Sequence, residues 1–230
     1  HPIENNLLEA VEPELVKYNT FRIIELPINA TAREIDKRRQ VIEMAAGAKL
    51  PIPPGSGRIY PLADRPDADM LDKALQRVQS PELRLRDELF WFWPEAAHDG
   101  ANDEALAALA RGDQAAAIAL WYKHESSSEP GVATHNLAVY GLVQALEWKP
   151  NDAAVARAEH DNCWYYAHVR WRKLLDDDHF WQRIAQRISE LDDPRLPADA
   201  WRILRKQLPQ MLLLLNARLA LQASAQDNEA

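Results

Sequence analysis

From about residue 30 onward the apolar positions recur at helical spacing, i, i+3, i+4 and i+7, and alternating strand patterns are scarce. The pattern predicts an all-α chain. Residues 1–18 form a lead-in segment with Leu7, Leu8 and Leu15 around Pro13, and a short apolar helix or turn follows over Asn19–Leu26. Thr31 and Glu34 are spaced as a capping box, in which the threonine oxygen accepts from an early helix N–H while the glutamate reaches back to the cap. They open a helix through about Lys49 with Ile35, Val41, Ile42 and Ala45 apolar and Arg33, Lys37, Arg38 and Arg39 basic. Residues 50–66 hold five prolines and two glycines and cannot continue it, so they read as a loop. Asp67 or Asp69 then caps a helix whose Met70, Leu71, Ala74, Leu75 and Val78 share one face. Ser80-Pro81-Glu82 is a cap, a first-turn proline and a first-turn acid, opening a helix with Leu85, Leu89 and Phe92 inward that stops at Pro94.

The second half repeats the theme. Residues 95–102 read as a linker, followed by helices over Asp103–Arg111 and Asp113–His124 broken at Gly112. After a loop at 126–131 come a helix over Ala133–Trp148, a long aromatic helix from Pro150-Asn151-Asp152 to about Leu175, and a helix capped by Asp176-Asp177-Asp178 that runs to Leu191. The last stretch, Asp199–Gln222, contains Pro209, which is expected to break or kink it, and residues 224–230 read as a frayed tail.

Composition narrows the class. With 230 residues, 47% apolar and 27% charged, the chain is an ordinary globular sequence with room for one large domain or two small ones. Seven glycines, about 3% against a usual roughly 7%, leave no Gly-rich phosphate loop. The balance of 27 basic to 35 acidic residues, net −8, disfavours nucleic acid as a partner, although a local basic face stays open. No apolar run is long enough to span a membrane. Cys163 is the single cysteine and no charged-then-apolar leader precedes the first helix, so the expected location is cytoplasmic; the starting residue, His1, leaves a removed leader open.

Residues 19–94 resemble the J domain of DnaJ-type co-chaperones. Phe21-x-x-Ile24-Glu25-Leu26 stands where that family has Tyr-x-x-Leu-Gly-Val, Asn29-Ala30-Thr31 with Glu34-Ile35 looks like the start of its basic second helix, and residues 77–84, from Arg77 through Ser80-Pro81-Glu82 to Arg84, look like its closing motif. The family's His-Pro-Asp tripeptide, which stimulates the Hsp70 ATPase, is absent; the corresponding stretch is Ala46-Gly47-Ala48-Lys49, and Arg65-Pro66-Asp67 is the nearest triplet. The resemblance implies a J-like scaffold that has lost Hsp70 activation, or else an atypical co-chaperone. Lys37, Arg38 and Arg39 occupy the helix face with which J domains meet Hsp70, and they are either a docking face or a solvated one. The run Phe90-Trp91-Phe92-Trp93, read as helical, points about 100° apart per residue, so not all four face one core. Trp91 and Trp93 are candidates to meet either the second half of the chain or a partner.

Residues 103–148 resemble helical hairpins of the tetratricopeptide repeat. Leu109-Ala110-Arg111-Gly112-Asp113 with Ala117, Ile118 and Trp121 looks like one such unit, and His135-Asn136-Leu137-Ala138 like part of the next. About one and a half units are recognisable. Asn136 matches a position that in some members holds a peptide, and it equally suits a structural bridge between helices.

His160, Cys163 and His168 form a grouping that could suggest a metal or nucleophilic site, but Cys163 and His168 do not share a helix face and no second pair completes four ligands, while Asp176-Asp177-Asp178, which could bind a cation, is better explained by capping. The reading calls for no cofactor, no metal and no catalytic residue, with a small hydrolase or metal enzyme as the outlying alternative. Trp164, His168, Trp171 and Leu175 form one stripe, either a core seam or a peptide groove. The wide apolar face from Trp201 to Leu219 suits a central helix or an oligomer contact. The expected function is a non-enzymatic adaptor whose partner is a protein, an Hsp70-type chaperone or a larger complex, with no nucleic acid and no membrane; the expected partner-binding residues are Lys37, Arg38, Arg39, Trp91, Trp93 and Asn136.

Overall fold

The computed structural model describes residues 11–12, 14–95, 103–126, 131–147 and 155–229, with side chains placed up to residue 221 except over 155–160. Every regular element among the described residues is a helix, so the all-α reading holds. In chain order these are α1 (Glu14–Lys17), α2 (Thr20–Ile24), α3 (Ala32–Gly47), α4 (Ala68–Arg77), α5 (Pro81–Leu89), α6 (Glu104–Ala110), α7 (Gln114–Glu125), α8 (Gly131–Glu147), α9 (Val155–Asp176), α10 (Asp178–Leu191) and α11 (Ala200–Glu229).

Most of the starts follow from side-chain caps. Asn19, Thr31, Asp67, Ser80, Asp103, Asp113 and Asp177 each accept a hydrogen bond from an N–H in the first turn that follows, satisfying donors that the helix itself leaves open. At Thr31 the bond is reciprocal, because Glu34 also accepts from the cap N–H at 2.7 Å. That contact holds the Glu34 carboxyl below its ordinary pKa.

The helix ends explain the loops. Helix α2 stops at Glu25 in the left-handed region, φ 54° and ψ 46°. The proline-bearing segment returns over this end, with the Gly57 N–H donating to the Glu25 carbonyl at 2.8 Å. A Cβ at Gly55 would lie 2.1 Å from the Glu25 oxygen and one at Gly57 2.1 Å from the Leu26 carbonyl carbon, so only glycine permits this approach. Gly112, at φ 81°, turns α6 into α7.

Two expectations fail for physical reasons. Helix α5 ends at Leu89, not beside Pro94, and residues 90–93 leave the helix. The residue before a proline is kept out of the helical region, and the side chains of Asn19, Trp93 and His135 donate to the carbonyls of Asp87, Glu88 and Leu89 at the end of α5. The break allowed for at Pro209 does not occur, since α11 runs on through it to Glu229. An internal proline costs about 3 kcal/mol, but Leu208, Met211, Leu212 and Leu215 are buried on either side of it, and each contributes about 1.5–3 kcal/mol. The burial wins.

The packing is a set of helical hairpins built on a shared core. Helices α6 and α7, α7 and α8, and α8 and α9 pair successively, α10 packs on α11, and α2 lies against α4 and α5. Gly141 lets α8 and α9 approach closely, since a Cβ there would sit 3.0 Å from both the Ala167 Cβ and the Cys163 oxygen. Buried apolar side chains from Val11 to Leu215 form one cluster spanning both halves. Of the expected linker, residues 96–102 lie outside the described part, and Glu95 is joined to Asp103 by its N–H at 2.8 Å.

Candidate functional site

The polar chemistry of the molecule concentrates around α5 and the aromatic run behind it. Asp87 and Glu88 are completely buried. Glu88 is clasped by two guanidiniums: Arg84 Nε donates at 2.8 Å, while Arg187 of α10 donates through Nε at 2.8 Å and Nη2 at 3.0 Å. Burial alone would lower the pKa of Arg187, but the Glu88 and Glu190 carboxylates together outweigh it and raise the value. The same two arginines donate to the Ile28 carbonyl, and Arg84 also to that of Ala30, so the start of α3, α5 and α10 meet at one ionic knot. Asp87 is held by Arg77 and by the Thr20 hydroxyl.

The end of α5 is closed by side chains. Asn19 Nδ2 donates to the Asp87 carbonyl at 2.9 Å, the Trp93 indole N–H to that of Glu88 at 2.6 Å, and His135 Nε2 to that of Leu89 at 2.6 Å. Asn136 exchanges two bonds with the Trp93 backbone: it accepts from the Trp93 N–H at 2.8 Å and donates to the Trp93 oxygen at 2.7 Å. The rings fill the space between. Phe92 stacks on Trp121 of α7 at 5.6 Å and 9°, and Phe90 lies 5.4 Å from Trp171 of α9. His135 sits against Trp93, Trp171 and Phe180, and its burial pushes its pKa down to about 4.

This geometry corrects most of the partner-binding set. Trp91 and Trp93 are fully buried, and Trp93 packs against His135 of the second half of the same chain, so they offer nothing to a partner in this conformation. Asn136 is fully buried and spends its amide on Trp93, which makes it the bridge rather than a peptide contact. Arg38 is buried as well: Nε donates to the Ile24 oxygen at 2.7 Å, Nη1 to that of Pro53 at 2.6 Å, and Nη2 to the Glu25 carboxylate at 3.2 Å. It ties α3 to the end of α2 and to the proline-bearing loop, and the desolvation lowers its pKa. Arg39 is half-buried beside Asp36 at 4.0 Å. Of the basic cluster Lys37 is the exposed member, one turn from the equally exposed Arg33.

No family model, curated protein or solved structure matches this chain.

The remaining candidates resolve structurally. Among the described residues no group of histidine, cysteine and acidic side chains is placed to hold a metal. The His160 side chain lies outside the described part, and His168 is engaged by the Trp164 carbonyl at 2.9 Å and the Asn216 amide at 3.0 Å. Trp171 is buried and Trp164 half-buried, so the aromatic stripe of α9 is a core seam. No described helix is long and apolar enough to cross a membrane. What sequence reasoning missed is the knot itself. Its signal is present: Arg84 and Glu88 are one turn apart on the face that carries Leu85 and Leu89, which places charge where the helix must be buried.

Proposed function

We propose that this protein is a non-enzymatic adaptor of the cytoplasm, in which a J-domain-like unit without the activating tripeptide and tetratricopeptide-like hairpins recruit or position a protein partner. The observation that carries the reading is the joint between the two units. Arg187 on Glu88 and Asn136 on Trp93 bind the first unit to the second through buried, charge-assisted or reciprocal hydrogen bonds. Such a joint fixes the outer face of α3 relative to the α6 to α9 hairpins, which is what presenting two surfaces to one complex requires. The J-like assignment draws support from the order of α2 to α5 and from Glu25, whose left-handed conformation falls at the place of that family's glycine.

A second reading, an Hsp70 co-chaperone with an atypical J domain, is favoured by Lys37 and Arg33, two exposed cations on one face of α3. Affinity capture with the wild-type chain and an Arg33→Glu, Lys37→Glu variant, with bound proteins identified by mass spectrometry, tests both. A partner held by both chains is the adaptor's expected result. An Hsp70 recovered by wild type, stimulated in its ATPase and lost by the variant, replaces it with the co-chaperone. Recovery of no partner sinks both.

A further inference from the structure

The proline-bearing segment, the end of α1 and the α6–α7 turn enclose a groove of about 720 Å³. Five basic and two acidic side chains line it, the reverse of a chain whose net charge is −8. Two of the cations are already used. Arg22 pairs with Glu147 at 2.6 Å and donates to the Tyr60 and Pro61 carbonyls, and Arg58 pairs with Glu25 at 3.1 Å. Lys17, Arg65 and Arg111 have no carboxylate partner among the described residues, and they reach the groove from three separate segments. Against them stands the exposed carboxylate of Asp64. By contrast, the cavity between the starts of α3 and α5 and the end of α10 carries three arginines against three acids and is balanced.

Tyr18 and Met70, both half-buried, add apolar lining to the groove. Cations brought together by folding repel one another, and with five of them against the carboxylates of Asp64 and Glu147 the groove has capacity for an anionic occupant. The origin of Lys17, Arg65 and Arg111 in three segments suits carboxylates spaced along an extended chain better than one compact anion. The chain's net charge of −8 opposes a longer polyanion such as a nucleic acid.

We propose that this groove binds a short acidic segment of a partner protein, with carboxylates on Lys17, Arg65 and Arg111 and an apolar side chain against Tyr18 and Met70. The inference rests on the adaptor reading and names the chemistry of its partner.

The test uses the full chain and a fluorescein-labelled peptide of sequence Glu-Asp-Leu-Glu-Asp-Leu, read by anisotropy. Arg65 and Arg111 are exposed, so Arg65→Glu with Arg111→Glu leaves the core untouched; thermal unfolding checks this, and Arg65→Gln with Arg111→Gln is the milder second variant. The expected result is saturable binding that weakens at least about tenfold in the charge-reversed chain, less in the glutamine variant, and falls as salt is raised. No saturation, equal binding of Lys-Lys-Leu-Lys-Lys-Leu, or an affinity indifferent to the reversal overturns the proposal. Tighter binding of single-stranded oligo-dT overturns it in favour of a nucleic acid. The capture experiment keeps the two readings apart. A partner captured equally by wild type and the reversed chain sinks the groove assignment alone, whereas peptide binding in a chain that captures no partner sinks the adaptor reading alone.

Discussion

Asn136, in the middle of α8, pairs with the backbone of Trp93 through both halves of its amide, at 2.8 and 2.7 Å. Trp93 lies beyond the end of α5 and has no helical partner for either group. A buried segment without secondary structure must find its hydrogen bonds elsewhere, and here a single side chain supplies them. Asn136→Ala leaves one donor and one acceptor buried and unpaired, at about 1–3 kcal/mol each. Urea unfolding should therefore show a loss of roughly 2–5 kcal/mol, and the Trp93 amide should lose protection in hydrogen exchange. A variant that unfolds at the wild-type urea midpoint would show that water takes the place of the amide.

The buried knot gives a second test with a different signature. Glu88 faces Arg84 and Arg187, and removing one partner of a buried ion pair strands the other. Glu88→Leu is expected to destabilise by about 3–5 kcal/mol, while replacing the whole set with Arg84→Met, Glu88→Leu and Arg187→Met recovers most of that loss, because the desolvation of three charges is then avoided. A triple variant as unstable as the single one would mean that the bonds to the Ile28 and Ala30 carbonyls, not the ion pairs, hold the knot.

Local order was legible in the sequence because it depends on neighbours in the chain. The caps at Thr31, Asp67 and Ser80, the loop over 50–66 and the apolar face of α4 are all set within a few residues. What lay beyond reach depends on contacts between distant segments. Arg38 looked like its neighbours Lys37 and Arg39, and only the return of the proline-bearing loop over α2 decides that it is buried. The aromatic run was read on a helix, since nothing local shows that Asn19, Trp93 and His135 would take over the carbonyls at the end of α5. The cations of the groove come from α1, the loop and the α6–α7 turn, and no spacing along the chain links them.

The contrast between adjacent cations on α3 is itself measurable. Lys37 is exposed, and its replacement by alanine is expected to change stability by no more than about 0.5 kcal/mol. Arg38→Ala removes three bonds that join α3, α2 and the loop, and it leaves the half-buried Glu25 with Arg58 as its one arginine partner. A loss of about 2–4 kcal/mol is expected. Equal effects at the two positions would place Arg38 on the surface and restore it to the docking face.

His135 provides the pH signature of the joint. Its ring is completely buried, Nε2 donates to the Leu89 carbonyl, and Nδ1 makes no hydrogen bond among the described residues. Burial accordingly takes its pKa from 6.5 to about 4 in the folded chain. The unfolded chain binds the proton first as pH falls, so the neutral ring is accommodated fully above 6.5 and stability is lost between 6.5 and about 4. The shift corresponds to about 3 kcal/mol at the acid end. Carboxylates also titrate in that range, and a comparison with His135→Gln removes their share, since the glutamine amide can still donate to Leu89 but does not ionise. Urea unfolding of both chains at roughly pH 7.5 and pH 4.5 should show the wild-type lead shrinking by roughly 2–3 kcal/mol. A lead that stays constant would mean that the folded chain admits the imidazolium and that the aromatic box around His135 opens to water.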